Sequence, residues 1–309
     1  MRHGDGFTLL ELLVVIGVLA VLMGLSIGFL GKADPRQIGD AVVGGELRAA
    51  QLSARAEGVP TEVLVRPGVE GAPASVQARL LRPVVAFRFE PDQAYEDDSL
   101  RPALGGEIAT DGRFGHARRL APDGKGALLR WRPTAAALDL RDGFVVRFDL
   151  LLESSGPATL MRLPPAIELT LDGDGRLRAR LRVLGLGGGD NRVVPVASAQ
   201  PAPRGRWCTV DLGCDTRRAW LAVDGREVGE ALADGTPAQE ADMTFEVGPA
   251  DAAFVGVVDE VRWFVYQFAS PQLLPVECEV GQPLRFAFDA RGEAVERHDV
   301  VFAVREGAR

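Results

Sequence analysis

The sequence predicts an α+β protein. One long N-terminal helix, membrane-spanning in its first half and amphipathic in its second, precedes an all-β remainder that reads as an antiparallel sandwich. Three observations carry this. Phe7 to Leu30 is apolar apart from a single carboxylate. Beyond Pro35, apolar and small residues recur at helical spacing as far as Val59. From Val84 onward, short β-type runs are separated by Gly, Asp and Pro.

The apolar run comes first. At 1.5 Å per residue, Phe7 to Leu30 spans about 36 Å as a helix, enough for a bilayer core. A cleaved secretory signal has a shorter core and a small-residue A-x-A site, and no A-x-A follows here. The run therefore reads as a retained membrane helix. Glu11 lies inside it, where a lone carboxylate costs several kcal/mol. Gly24 and Gly28 form a G-x-x-x-G that permits close helix approach.

Gly31 to Pro35 is a breaker stretch. After it, Ile38, Val42, Gly45, Ala49, Leu52, Ala56 and Val59 recur at alternating spacings of four and three. This predicts an amphipathic helix with a narrow stripe of small residues. Gly58 and Pro60 end it.

The remaining length is β-rich. Val84–Phe89, Phe144–Leu151, Ile167–Leu171, Leu177–Val183, Trp207–Leu212, Ala219–Val223 and Val257–Phe264 read as strands of an antiparallel sandwich or jelly roll. Asp172-Gly173-Asp174-Gly175 and Asp224-Gly225 read as hairpin turns. At the end, Leu274–Val280, Leu284–Val295 and Asp299–Val304 give three more strands, with Phe286, Phe288, Val301 and Ala303 alternating with polar neighbours.

With 309 residues the chain has room for about two domains. Its 47% hydrophobic and 25% charged residues exclude wholesale disorder. The net charge of −8, without a Lys/Arg cluster interleaved with aromatics, argues against nucleic acid as a partner. Cys208 and Cys214 flank one extended segment of roughly 20 Å, too far apart for a disulfide. A bond from Cys278 to either stays geometrically open. The three read as small buried hydrophobes.

Catalytic residues are not expected. Acid/base work on a sugar bond needs two carboxylates on one strand face, and no E-x-D-x-E array occurs. Asp259 and Glu260 are adjacent, so a regular strand points them to opposite faces. His3, His116 and His298 are scattered. Gly185 to Gly189 lacks the Lys-Ser/Thr of a phosphate cradle and reads as a flexible loop.

Gly6-Phe7-Thr8-Leu9-Leu10-Glu11 resembles the processing site of type IV pilins and type II secretion pseudopilins. The resemblance implies that a prepilin peptidase cuts after Gly6 and that Phe7 is N-methylated. It also implies that Glu11 is an assembly residue, pairing with the N-terminal amine of a neighbouring subunit so that each charge offsets the other's desolvation. Asp5 departs from the basic leaders usual in this family. Glu46–Val65, ELRAAQLSARAEGVPTEVLV, resembles the helix-to-strand passage of H-type minor pseudopilins and FimT-like pilins, and FAFDARGEAV resembles their last head hairpin.

Between these lie pieces that resemble laminin-G-like, concanavalin-A-like jelly rolls. They are FRFEPDQAYEDDS from Phe87, Gly112–Ala117, Arg206-Trp207 with the following hairpin, and Gly256–Arg262. Some such jelly rolls bind calcium through loop carboxylates. Asp92, Glu96, Asp97 and Asp98 therefore read as a solvated acidic loop, with a calcium site as the alternative the resemblance leaves open; no other cofactor is expected.

The implied organisation is a leader at 1–6, a transmembrane helix at 7–30, the amphipathic helix with the first head strands at 31–83, a jelly-roll insertion at 84–269, and C-terminal head strands at 270–309. The implied function is that of a minor structural subunit in a type II secretion pseudopilus or type IV pilus-like filament. Its partners would be other pilin subunits, the prepilin peptidase and the bacterial inner membrane, which it would cross once, with its C-terminal domains periplasmic or on an extracellular filament. The alternative is a filament-borne or membrane-anchored adhesin whose jelly roll binds a glycan or a surface protein.

Overall fold

The computed structural model describes residues 34–68, 72–95, 98–120, 127–134, 136–153, 156–185, 191–251, 254–295 and 303–304. Gly6, Phe7, Glu11, the 7–30 run, Glu96, Asp97, His298 and Val301 lie outside them.

The first described element is helix α1, Pro35–Glu57. Asp34 is its N-cap and accepts from the Arg36 amide at 3.0 Å, and Pro35 stands in the first turn, where its missing N–H costs nothing. Gly58 closes the helix in the left-handed region at φ 63°, with its N–H on the Ala54 carbonyl.

The buried face of α1 differs from the expected stripe. Gly39, Val43, Ala50 and Ala54 are buried, whereas Ile38 is 42% and Leu52 64% exposed. Ala49 and Ala56 are also exposed. The two lines lie one residue, or about 100°, apart, and both are rich in Gly and Ala. The sheet selects between them by fit. Ala50 and Ala54 let the helix close on Val63, Val76 and Ala78, and the Thr61 hydroxyl donates to the Ala50 carbonyl at 2.9 Å.

The strands in chain order are β1 Thr61–Arg66, β2 Ser75–Phe87, β3 Ala103–Leu104, β4 Glu107–Ala109, β5 Ala117–Leu120, β6 Leu129–Trp131 and β7 Phe144–Leu152. Then come β8 Ala158–Leu163, β9 Ile167–Leu171, β10 Arg176–Gly185, β11 Asn191–Pro201, β12 Trp207–Cys214, β13 Arg218–Val223 and β14 Arg226–Leu232. The last are β15 Gly235–Pro237, β16 Phe245–Val247, β17 Gly256–Phe268, β18 Gln272–Leu273, β19 Cys278–Glu279, β20 Leu284–Phe288 and β21 Ala303–Val304.

Two large sheets face each other. One has the order β14-β13-β12-β7-β17-β2-β1-β20, and the other β11-β10-β9-β8-β16-β6-β3. Pairing is antiparallel throughout the described ladders. Between the sheets lies a core that includes Trp131, Phe144, Phe148, Phe245 and Trp263. Pro195 sits in β11, an edge strand, where its missing N–H spoils no ladder.

The expected strand at Val84–Phe89 is the end of a longer one. β2 begins at Ser75 and runs without interruption past position 84, and Phe89 lies beyond it at φ 59°. Its first half pairs with β1, while β17 accompanies it from Arg79 to Phe87. The strands that carry α1 and those of the sandwich are thus parts of one sheet.

Both expected hairpin turns form. Asp172 Oδ1 accepts from the amides of Asp174 and Arg176, each at 2.9 Å. Asp224 and Gly225 both take positive φ, at 51° and 72°, as a two-residue turn of this hand requires. Near the C-terminus Phe288 bridges Ala294, which closes the expected last hairpin. Cys208, Cys214 and Cys278 are free and buried. Burial pushes the Cys208 thiol up to about 11 and the Cys214 thiol up to about 12.

Candidate functional site

Strand β7 reads FVVRFDLLL. Phe144, Val146, Phe148, Leu150 and Leu152 point into the sandwich core, so Val145, Arg147, Asp149 and Leu151 occupy the other face. On that outer face β12 contributes Thr209 and Asp211, and β17 contributes Asp259 and Arg262. The register sets Asp149 opposite both Thr209 and Asp259, and Arg147 opposite both Asp211 and Arg262.

Asp149 and Asp259 are each 1% exposed. The turn from Gly112 to Ala117 roofs them. Arg113 Nη1 donates to Asp149 Oδ1 at 2.5 Å and to Thr209 Oγ1 at 2.8 Å. The Thr209 hydroxyl donates to the same carboxylate at 2.7 Å. The Phe114 amide donates to Asp259 Oδ2 at 2.8 Å. Asp149 Oδ2 and Asp259 Oδ1 are left without a hydrogen-bond partner among the described residues. Burial raises the Asp259 carboxyl above the usual range, with Glu260 and Asp149 adding to the rise against the hydrogen bonds that oppose it. The turn itself is anchored by Glu90, which accepts from the His116 amide at 3.0 Å and lies 2.7 Å from its Nδ1. Those bonds hold the Glu90 carboxyl below its ordinary value.

Glu260 does not face away from Asp259 as strict alternation requires. It forms a β-bulge at φ 42°, between Asp259 opposite Asp149 and Val261 opposite Phe148. The extra residue cancels one step of alternation. Glu260 therefore reaches Arg262 at 3.5 Å and Arg88 at 4.0 Å on the outer face, while Arg262 approaches Asp149 at 3.8 Å. The two carboxylates share one face, but Asp259 is closed off by the turn above it. The arrangement knits β7, β12, β17 and the 112–117 turn together.

Arg147 links this network to the helix. Its Nε and Nη2 donate to Asp211 at 2.7 and 3.0 Å, and its Nη1 and Nη2 donate to the Glu57 and Gly58 carbonyls at 2.8 and 3.2 Å. The carbonyls at a helix C-terminus lack intrahelical donors, and a guanidinium there also meets the negative end of the helix dipole. Burial pushes the Asp211 carboxyl up even with Arg147 beside it.

A second ionic knot lies nearby. Arg79 donates to Glu62 Oε1 at 2.7 Å, to the Asp215 carbonyl at 2.7 Å and to the Asp142 carbonyl, and it stacks 4.5 Å over the Tyr266 ring. Arg285 donates to the other Glu62 oxygen. Burial alone would raise the Glu62 carboxyl, but Arg79 and Arg285 outweigh it and hold it below its ordinary value.

The loop singled out for calcium is described only in part. Asp92 lines a cleft of about 710 Å³ together with Arg88, Glu90, Tyr95 and Arg262. Asp98 begins a short 3-10 turn and lies 3.8 Å from Arg101, with its side chain 94% exposed. Among the described residues no group of three His, Cys, Asp or Glu side chains is placed to hold a metal ion.

The sequence assigns no role to Asp149, Asp211, Arg113 or Arg147, although Arg113 lies in the Gly112–Ala117 stretch and Asp211 in the hairpin after Trp207. A polar pair in alternate positions of an otherwise apolar strand, Arg147 and Asp149, was the available signal. Its bonded partners lie 36 to 113 positions away and left no local trace.

Residues 1–27 match the prokaryotic N-terminal methylation motif. The chain thus begins with the processing signal of type IV pilin-like prepilins. No curated protein matches the chain at a significant level. Among solved structures, the binding domain of Paraclostridial Mosquitocidal Protein 1 is similar over 59% of this chain and 48% of that one, with 11% identity and a TM-score of 0.46. The receptor binding domain of botulinum neurotoxin D is similar over 63% and 50%, with 9% identity and a TM-score of 0.44. Domain 4 of AbnA, a GH43 extracellular arabinanase from Geobacillus stearothermophilus solved with arabinotriose, is similar over 63% and 95%, with 17% identity and a TM-score of 0.42. The match spans about half the length of the two toxin chains. These likenesses are of β-sandwich architecture alone. Among the described residues no helix is long and apolar enough to cross a membrane, and the 7–30 run lies outside them.

Proposed function

We propose that this chain is a minor structural subunit of a type II secretion pseudopilus or a type IV pilus-like filament, of the H-type or FimT-like kind, and that it displays its β-sandwich as an interaction module. The methylation motif over residues 1–27 carries this reading. In it, a prepilin peptidase cuts after Gly6, Phe7 becomes the methylated N-terminus, and the 7–30 helix holds the subunit in the inner membrane until assembly. Glu11 then pairs with the Phe7 amine of a neighbouring subunit. Each charge offsets the desolvation of the other, which sets the axial register of one subunit on the next.

The structure supports the mechanical side of this reading. A subunit drawn by its helix must carry its outer domain along. Here α1 is held to β1, β2 and β20 by an apolar core and to β7 by the Arg147 bonds at its C-terminal end. β1 and β2 continue into the sandwich sheet. Load on the helix passes into a hydrogen-bonded sheet with no linker between them.

The test is mass-spectrometric reading of the mature N-terminus from the membrane fraction, for the native chain and its Gly6→Ala and Glu11→Ala variants. N-methyl-phenylalanine at position 7 is expected in the native chain and in Glu11→Ala, and not in Gly6→Ala. Glu11→Ala is expected to drop out of sheared filaments. An intact Met1 on a functional protein would refute the proposal.

A further inference from the structure

The second sheet carries a charged feature that the network above does not use. In β10, Arg176, Arg178, Arg180 and Arg182 alternate with Leu177, Ala179, Leu181 and Val183, which are buried in the core. The four guanidinium groups therefore stand on the outer face of that sheet, in a chain whose net charge is −8. Arg178 is neutralised by Asp172 at 2.7 Å. Arg180 and Arg182 form no ion pair and no side-chain hydrogen bond among the described residues. Both line a groove of about 510 Å³ with Arg162, Glu168, Asn191 and the exposed rings of Pro164 and Pro165. Arg162 is already engaged by Glu246 at 2.7 Å and Asp251 at 2.9 Å.

The chemistry of the groove selects its occupant. Two guanidinium forks that no carboxylate reaches within ion-pair distance, although Glu168 stands opposite Arg180 in the ladder, have Cα atoms about 7 Å apart on one strand and are suited to successive carboxylates on an extended polymer. Glu168 and Asn191 offer acceptors and donors for hydroxyls, and the proline rings offer flat apolar surface to a sugar ring. Among the described residues no aromatic side chain lines the groove, so they offer no stacking platform of the kind single-stranded nucleic acid uses. A lipid surface would need basic residues raised toward a plane, whereas these lie in a recess.

We propose that this groove binds a linear polyuronate, with the carboxylates of neighbouring sugars held by Arg180 and Arg182. The proposal rests on reading the sandwich as the displayed module. Its test, on purified protein, does not depend on processing or filament assembly, so the two can fail separately.

The full-length chain, held in a non-ionic detergent, is titrated with polygalacturonate, dextran sulfate, neutral dextran and vesicles containing anionic phospholipid. Polygalacturonate is expected to bind most tightly, with an affinity that falls as salt is raised. The double variant Arg180→Gln/Arg182→Gln should weaken that binding at least tenfold, while Arg206→Gln, whose arginine pairs with Asp224 on the other sheet, should leave it unchanged. Arg180→Lys/Arg182→Lys, which keeps the charge and loses the fork, should weaken binding severalfold. Near-UV circular dichroism confirms that each variant keeps the fold, which positions on the outer face of the sheet should permit. Polygalacturonate binding that is absent, or that the double glutamine variant leaves intact, would overturn the proposal. So would dextran sulfate or vesicles binding as tightly as polygalacturonate, since plain charge would then suffice.

Discussion

Replacing Arg147 with methionine tests whether the helix and the sandwich are clamped together as the geometry implies. The substitution removes two bonds to Asp211, which is 4% exposed, and two bonds to the last carbonyls of α1. Breaking a buried ion pair from one side costs about 3–5 kcal/mol, because the remaining charge is stranded. The helix-end carbonyls add about 1 kcal/mol, since Gly58 is only half-buried and regains water. For a body of this size about 1 kcal/mol shifts Tm by roughly 2 °C, so Arg147→Met should lower Tm by about 8–12 °C. The assay is thermal unfolding of the full chain in detergent, followed by tryptophan fluorescence, with Trp131 and Trp263 reporting on the core. The double variant Arg147→Met/Asp211→Leu no longer strands a charge and should recover most of the loss, leaving about 2 °C. Hydrogen exchange at the last turn of α1 should stay accelerated in both variants, because neither restores the carbonyl contacts. A single variant within about 3 °C of wild type, or a double variant no better than the single, would refute the clamp.

Two further predictions concern protons. Glu62 titrates below its ordinary 4.5 in the fold, so its pairing contributes stability that is fully present above that value and is lost as pH falls through the depressed one. Glu62→Gln should be markedly less stable than wild type at pH 7, and the gap should narrow below about pH 4; parallel stability curves down to low pH would contradict the Arg79–Glu62–Arg285 pairing. Asp259 has the opposite sign. Its raised carboxyl favours the protonated fold, a contribution present below its ordinary 3.8 and lost as pH rises through the raised value. Asp259→Asn keeps an acceptor for the Phe114 amide and removes a buried negative charge that Asp149 and Glu260 oppose, so it should equal or exceed wild-type Tm at pH 7; a loss of several degrees there would mean that the ionised carboxylate is required.

Much of the architecture was legible because it is written locally. Helix α1 was foreseen from the spacing of small residues between a breaker and a glycine, and its ends fell where Asp34, Pro35 and Gly58 place them. Ile167–Leu171 was read with the bounds it has, and Phe144–Leu151, Leu177–Val183, Trp207–Leu212 and Ala219–Val223 to within two residues, since core-facing alternation shows in a single strand; β8, β11 and β14 were not read, and the expected strand Leu274–Val280 is a turn that leads into the two-residue strand Cys278–Glu279. The hairpin turns were legible from Asp-Gly pairs, because few other residues accept positive φ.

The buried face of α1 was not legible. Two neighbouring lines of small residues satisfy the same helical period, and only the sheet beneath decides which one closes on it. The joining of β2 across position 84 was missed because a strand continuing from one region into another leaves no composition change. The shared face of Asp259 and Glu260 depends on a bulge, which is a property of two paired strands rather than of one.

The sequence by itself determined the N-terminal methylation motif over residues 1–27, the apolar run that begins within it and the β character of the remainder, because each is read from contiguous residues by their own chemistry. The tertiary structure alone decided which carboxylates are buried together and which arginine holds the helix to the sheet. Residues 57, 147 and 211 meet only after three separate elements have packed. The free energy that fixes their roles, the desolvation of charge, exists only once that packing has removed the water.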